Sequence, residues 1–408
     1  MAITILANPK DFAPVYNKME YLISSTNFAQ TNFAYLVDIY INGSGTKTVR
    51  LRIPVRPSDN YGKVDIHRVL ESALTSDVGN PLGIAGTYEA PNSSLTYIVK
   101  FGEEYGDPVV VQPTFTTDIS REAINASVEK QNFINWNFED DYTLLWSPTL
   151  PPPKFLTNMP DNHKVPIDSH EWLYYHKSVA TPLTMIKVIT KDSLGATINT
   201  FVIDTTPTSD TIQYVPFAPA SLNSIDNANL STGVQPIITS DVYSYTINAT
   251  NFIGFLYSEI RTFVIQENCK YNVNTLIFQN NLGGFDNFTF YLGDESTTEI
   301  ERKEMKVNVD TVVGADIVYS MNEREKVTYY TKTTPSLKLM SDWISEAESN
   351  WLLELFSSPE IYLQSGNELI AVAKIKATNY VKKKVVRDKL FKIDVELELG
   401  YDNYRQRG

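Results

Sequence analysis

Between residues 33 and 41, Phe33, Tyr35, Val37, Ile39 and Ile41 alternate with Ala34, Leu36, Asp38 and Tyr40. A repeat of two is the signature of a strand. Asn42, Gly43, Ser44 and Gly45 make a turn, and residues 48–53 return as the partner strand. Residues 95–101 add another. Between them Ile66, Val69, Leu70, Ala73 and Leu74 fall at helical spacing, with Asp65 placed to cap. The pattern predicts a short helix laid across a small sheet. Residues 184–189, 197–203, 242–248 and 260–266 are short strands separated by turn-rich sequence, as in a sandwich. The polar stretch 221–233 between them predicts an exposed loop.

Near the end of the chain, Trp343, Ala347, Trp351 and Leu355 stand four apart, which predicts a helix over 341–356 capped by Ser341 and ended before Pro359. Phe391, Ile393, Val395, Leu397 and Leu399 then alternate with Lys392, Asp394, Glu396 and Glu398. One face is dry and one wet, the mark of an antiparallel strand. With strands at 361–364 and 369–376 this makes an α+β module.

Residues 118–179 differ in character. A short helix is predicted over 120–131. Trp136, Phe138, Tyr142 and Trp146 follow, with Pro148, Pro151, Pro152, Pro153 and Pro160. Prolines at this density oppose both helix and central strand, so the segment is expected to run extended over a surface. The chain thus divides into an N-terminal β domain with one short helix (1–117), a proline- and aromatic-rich connector (118–179), a β-sandwich-like domain (180–269) and a C-terminal α+β domain (270–408). The fold class expected is mainly β, built of sandwich or sheet modules with a few short helices.

The last of these segments opens on a distinctive hairpin. Apolar residues lead from Cys269 and Tyr271 into an Asn-Leu-Gly-Gly-Phe-Asp-x-Phe-x-Phe stretch at 281–290. Gly283 and Gly284 let the backbone reverse tightly, and Phe285, Phe288 and Phe290 form an aromatic strand. This stretch resembles one found in virion structural proteins of tailed bacteriophages that infect Bacteroidetes-type bacteria. Three further landmarks are similar and occur in the same order: NFAYLVDIYI at 32–41, YIVKFGEEYG at 97–106 and KFLTNMP at 154–160. The resemblance implies a particle component, in the tail, and supplies no catalytic residues.

The composition fits that expectation. Net charge is -13, which repels phosphate backbones and disfavours direct nucleic-acid binding. The basic run Lys382, Lys383 and Lys384 reads as a solvated strand or hairpin tip. A single cysteine, Cys269, excludes an intramolecular disulfide and a cysteine-based zinc site, and reads as a small buried apolar side chain. No secretion signal and no membrane span is expected from the apolar pattern. The 24 Tyr and 19 Phe favour strands and interfaces.

Candidate chemistry is thin. His163, His170, Glu171 and His176 concentrate metal-type side chains, but His170 and His176 are six apart, not the four of a helical zinc motif. Surface or interface histidines are expected. Glu103 and Glu104 point to opposite faces of a strand, so they read as exposed acids at its end, anchored by Tyr105. Glu139, Asp140 and Asp141 lie among aromatics. They fit a docking linker better than a glycosidase cleft, which needs two carboxylates facing across a groove. No nucleophile elbow, phosphate loop or dinucleotide fingerprint is present.

No catalytic, cofactor-binding or metal residue is therefore expected, and no cofactor. The function expected is a tail-tip, baseplate or hub-proximal ring protein of a virion, made in the bacterial host cytoplasm and acting by assembly with sister copies and other tail proteins. Trp136, Trp146, Pro151, Pro152 and Pro153 are the expected interface elements; Gly283, Gly284, Phe285 and Phe288 are expected to pack internally. A receptor- or host-glycan-binding appendage and a neck or collar ring are the alternatives, with a glycan-degrading enzyme ranked last.

Overall fold

A computed structural model describes the chain apart from residues 1–2, 81–82, 145–148, 178–184, 206–210, 252–253, 267–272, 308–310, 319–320, 322–323, 367, 377–390 and 406–408. The fold is mainly β, about 48% strand and 10% helix, with several sheets and few short helices. By its internal contacts it forms two compact units. The first holds residues 1–266 and 279–286, the second residues 267–278 and 287–408.

In the first unit the alternating strand Ala34–Ile41 pairs with Val49–Ile53 and with the long strand Ser94–Tyr105. Tyr35, Val37, Ile39, Tyr97, Val99 and Phe101 are buried together there, with Leu70 of the helix His67–Glu71 in the same core. The N-cap is Ile66 and not Asp65 as expected, because the helix starts a residue later; Asp65 accepts the N–H of His67, the first helical residue, at 3.3 Å. Burying each such aromatic or branched side chain contributes roughly 1.5–3 kcal/mol, and this clustering fixes the register that period-two sequence permits.

Three expectations for this unit need correction. The helix expected over 120–131 is instead a buried strand, Arg121–Ile124, antiparallel to Ser94–Tyr105 and parallel to Phe12–Pro14. Arg121 tolerates burial because Asp118 and Asp11 both bind its guanidinium. The extended connector contains an interior strand, Trp172–Lys177, buried throughout and flanked by Thr143–Leu144 and Thr211–Pro216. Its polar groups find partners inside: Tyr175 donates to Gln213 at 3.0 Å and Lys177 to Thr205 at 3.3 Å. The exposed loop expected over 221–233 is ordered as the helix Pro219–Ser224, a 3-10 turn Asn227–Asn229 and the short strand Leu230–Thr232. Gln235 donates to the Leu222 and Ile225 carbonyls, and Asn223 ties the segment to the Ile238 backbone. Leu222 and Ile225 are buried, while residues 226–228 and 231–233 are exposed as expected.

The strands expected between 184 and 266 form one sheet. Its order is His163–Pro166, Arg261–Gln266, Ser244–Thr250, Met185–Lys191, Thr197–Asp204 and Leu230–Thr232. Phe217 and Tyr245 stack on Phe263 at 4.4 and 5.5 Å between ring centres.

The second unit is built on one sheet, in the order Phe285–Phe290, Asn274–Gln279, Ile361–Ser365, Glu368–Ile375, Asp394–Leu399, Lys326–Met340 and Asp294–Lys306. Val395 and Leu397 are buried and Asp394 and Glu396 exposed, as their alternation requires. The helix begins later than expected. It runs Glu346–Trp351 and then Leu353–Ser357, capped by Ser345 in a reciprocal box with Glu348. Ser341 does not cap; its hydroxyl oxygen accepts the Ile393 N–H at 2.8 Å. Trp343, ahead of the helix, is therefore 63% exposed and Ala347 is exposed too, while Trp351 and Leu355 are buried.

Candidate assembly surfaces

Trp136, one of the two expected interface aromatics, sits in an aromatic cluster. The short helices Lys130–Ile134 and Phe138–Tyr142 bracket it. Its indole N–H donates to the Phe12 carbonyl at 2.9 Å, and Phe138 and Tyr142 lie 5.7 and 5.6 Å from its ring. His176 meets Phe12 and Phe138 edge-on and bonds Thr143 at 2.9 Å. Trp136 is 6% exposed, so its ring is already covered within the first unit and has little area left for a neighbour. Trp146 lies outside the described residues. Pro151 and Pro152 are exposed; Pro153 is buried, and its carbonyl accepts the Glu259 N–H at 2.7 Å.

Gly283 adopts φ +91°, a conformation that favours glycine. The Asn280 side-chain oxygen accepts the N–H groups of Leu282 and Gly284, both at 3.0 Å, and its amide donates to Asp286 at 2.9 Å. Phe285 and Phe288 are buried. Within the second unit Phe288 packs against Phe290 and Trp351 at 5.0 and 6.1 Å.

The metal-type side chains do not converge. His163, Glu171 and His176 are buried and not on the surface, a correction to the expectation from their sequence. Burial, with Arg261 nearby, pushes the His163 imidazole down to about 3, so it is neutral. Burial, with the Asp286 charge adding to it, pushes the Glu171 carboxyl up to about 8. Among the described residues no group of three such side chains is placed to hold a metal ion. Glu103 is also buried, accepting from the Ser25 hydroxyl and from the Asn27 amide, while Glu104 pairs with Arg52. The expected pair of exposed acids therefore holds the sheet together instead. Cys269 and Lys382 to Lys384 fall outside the described residues.

Two adjoining clefts flank Lys10. One, about 540 Å³, is lined by Asp11, Arg121, Trp136 and Glu139. Arg121 neutralises Asp11, so carboxylates there do not face each other unpaired. The other, about 560 Å³, is lined by Lys10, Lys18, Lys130, Phe133 and Ile134, with Glu20. Glu20 is already paired with Lys63 at 2.8 Å and Lys18 at 3.6 Å. The Lys10 ammonium donates to the carbonyls of Phe133, Ile134 and Trp136, closing the end of the short helix. Ile134 is 70% exposed on the rim. This cleft is cationic with an apolar wall.

The second unit carries an open surface among its described residues. Asp294–Lys306 ends the sheet, and all thirteen of its residues are exposed. It pairs with Lys326–Met340 from Asp294 opposite Leu339 to Lys306 opposite Lys326. At about 3.4 Å per residue the strand is roughly 40 Å long; its first half lies in the larger sheet, and only the part past Glu301 is two-stranded. Beyond it the short hairpin Thr311–Val313 and Asp316–Val318 turns at Gly314, φ +70°. Charge dominates the stalk; apolar side chains gather toward the tip, where Met305, Val313, Ile317, Val318 and Tyr329 are all exposed. Alternation does not mark the strand Asp294–Lys306 in the sequence, because only Ile300 and Met305 interrupt a polar run. The Thr, Val and Tyr enrichment at 327–334 was the available signal.

No protein-family model matches the chain, and no curated protein does. Among solved structures, the full extracellular region of plexin A4 aligns at 9% identity and a TM-score of 0.18, covering 64% of this chain. The chain spans about a quarter of the plexin's length, 24%. A glucan-utilization protein of Bacteroides ovatus, SGBP-B, seen with a mixed-linkage heptasaccharide, aligns at 12% identity and a TM-score of 0.15, covering 80% of this chain and 70% of that one. Scores this low carry no argument about fold or ligand. Among the described residues no helix is long and apolar enough to cross a membrane.

Proposed function

We propose that this chain is a structural subunit of a tailed-bacteriophage particle, located in the tail, that acts by assembly with sister copies and neighbouring tail proteins and not by turnover. The observation that carries the reading is the exposed ribbon. Past Glu301 only Lys326–Met340 pairs with Asp294–Lys306, and no side chain there is buried. A two-stranded end of this kind is marginal by itself, and an open sheet edge is a template for another chain. A tip with several exposed apolar side chains marks an interaction surface. Copies that supply such contacts to one another close into a ring when the symmetry closes. The resemblance of residues 281–290 and the three landmarks to phage virion proteins supports the same reading.

Native mass measurement on the purified chain, with a variant lacking residues 307–325, tests it. The full chain is expected to give a closed oligomer of one copy number. The shortened variant is expected to give a monomer with unchanged circular dichroism. A full chain that stays monomeric, and that imaging finds as a lone copy in the particle, would overturn the proposal.

A further inference from the structure

The exposed ribbon and the cleft beside Lys10 are chemical opposites. The ribbon segment 294–326 carries nine acids against five bases, a net -4. Its tip exposes Val313, Ile317 and Val318 around Asp316. The cleft beside Lys10 is concave and holds three lysines against one glutamate that is already paired. Ile134 and Phe133 give it an apolar wall.

The whole chain has a net charge of -13, so two copies repel unless they meet where the sign reverses. The lysine cleft is such a place, and every copy carries both the cleft and the tip. We infer that the ribbon tip of one copy docks in the Lys10–Lys18–Lys130 cleft of a second copy. Val313 and Ile317 would lie against Ile134 and Phe133, and Asp316 would face the ammonium groups. Desolvating the apolar side chains supplies the affinity, while the charges set partner and orientation. The contact joins two different surfaces, so it is head-to-tail, and repetition closes it into the ring that the assembly reading expects. This inference rests on the assembly reading and names its contact.

Crosslinking between separately made chains tests it. In a Cys269→Ser background, Ala315→Cys is placed in one preparation and Ile134→Cys in another, and the two are mixed under mild oxidation. A disulfide-linked heterodimer is expected, absent when either cysteine is omitted. Asp316→Lys is expected to raise the concentration needed for assembly by about tenfold or more, and Lys18→Glu with Lys130→Glu in the partner preparation to recover much of that loss. Assembly that depends on the ribbon but yields no crosslink, and is indifferent to Lys18 and Lys130, would overturn this docking and leave the assembly reading standing. A different tail protein would then be the occupant. A chain that never oligomerises would overturn both.

Discussion

The Trp136 indole N–H donates to the carbonyl of Phe12, 124 positions earlier in the chain, at 2.9 Å. That bond holds the segment after the helix Lys130–Ile134 against the short strand Phe12–Pro14. Trp136 also lines one of the two clefts that share Lys10. Trp136→Phe keeps most of the ring but leaves the Phe12 carbonyl without its donor. A loss of about 1–3 kcal/mol is expected, read as a lower urea midpoint with an unchanged slope.

Gly284 has no room for a side chain. A Cβ there would stand 2.7 Å from the Tyr174 Cβ. Gly284→Ala is expected to cost about 1–3 kcal/mol by overpacking. Tyr174→Ala in the same chain keeps that Cβ but removes the ring carbon 2.8 Å away, so it relieves part of the clash and the two costs should fall short of adding. Thermal unfolding of the two single variants and the double measures that coupling.

The buried Glu171 carboxyl makes stability fall as pH rises. It titrates near 4.5 when unfolded and near 8 when folded. Between those values the folded state holds a proton that the unfolded state has released. The contribution is complete below about 4.5 and is lost as pH climbs through 8. Glu171→Gln has no such proton, so its melting temperature relative to the parent chain should increase from pH 5 to pH 8. A constant difference across that range would refute the assignment.

His163 acts in the opposite sense. Its folded value near 3 lies below the ordinary 6.5, so the unfolded state takes up a proton first as pH falls. Stability present above 6.5 is lost progressively toward 3. His163→Gln should flatten acid unfolding in that window while leaving the curve above pH 7 parallel to the parent. Equilibrium denaturation at a series of pH values reads both.

In the second unit, Ser345 and Glu348 each satisfy the other's backbone N–H at the start of the helix. Ser345→Ala should cost about 1 kcal/mol, with faster amide exchange confined to the first helical turn. Ser341→Ala should cost stability through a different contact, by leaving the Ile393 N–H without an acceptor.

Legibility followed locality. The strands Ala34–Ile41, Val49–Ile53 and Asp394–Leu399 were readable because alternation of side chains is visible within each segment. The helix boundary at Ser345 was also legible as Ser-x-x-Glu, but the apolar stripe drew attention upstream to Ser341. The strand Arg121–Ile124 was not readable, since a buried arginine makes sense only with Asp11 and Asp118 around it. The lysine cleft was beyond reach for the same reason: Lys10, Lys18 and Lys130 come from distant parts of the chain.

By itself the sequence determined the β class and the tight glycine turn at 283–284, because strand periodicity and positive φ are properties of neighbouring residues. It also determined the acidic balance that any contact between copies must overcome. Only the tertiary structure decided that Trp136 is covered, that Glu171 holds its proton, and that the ribbon Asp294–Lys306 stands open. Burial and partnership are set by groups brought together from far along the chain, and no local pattern records them.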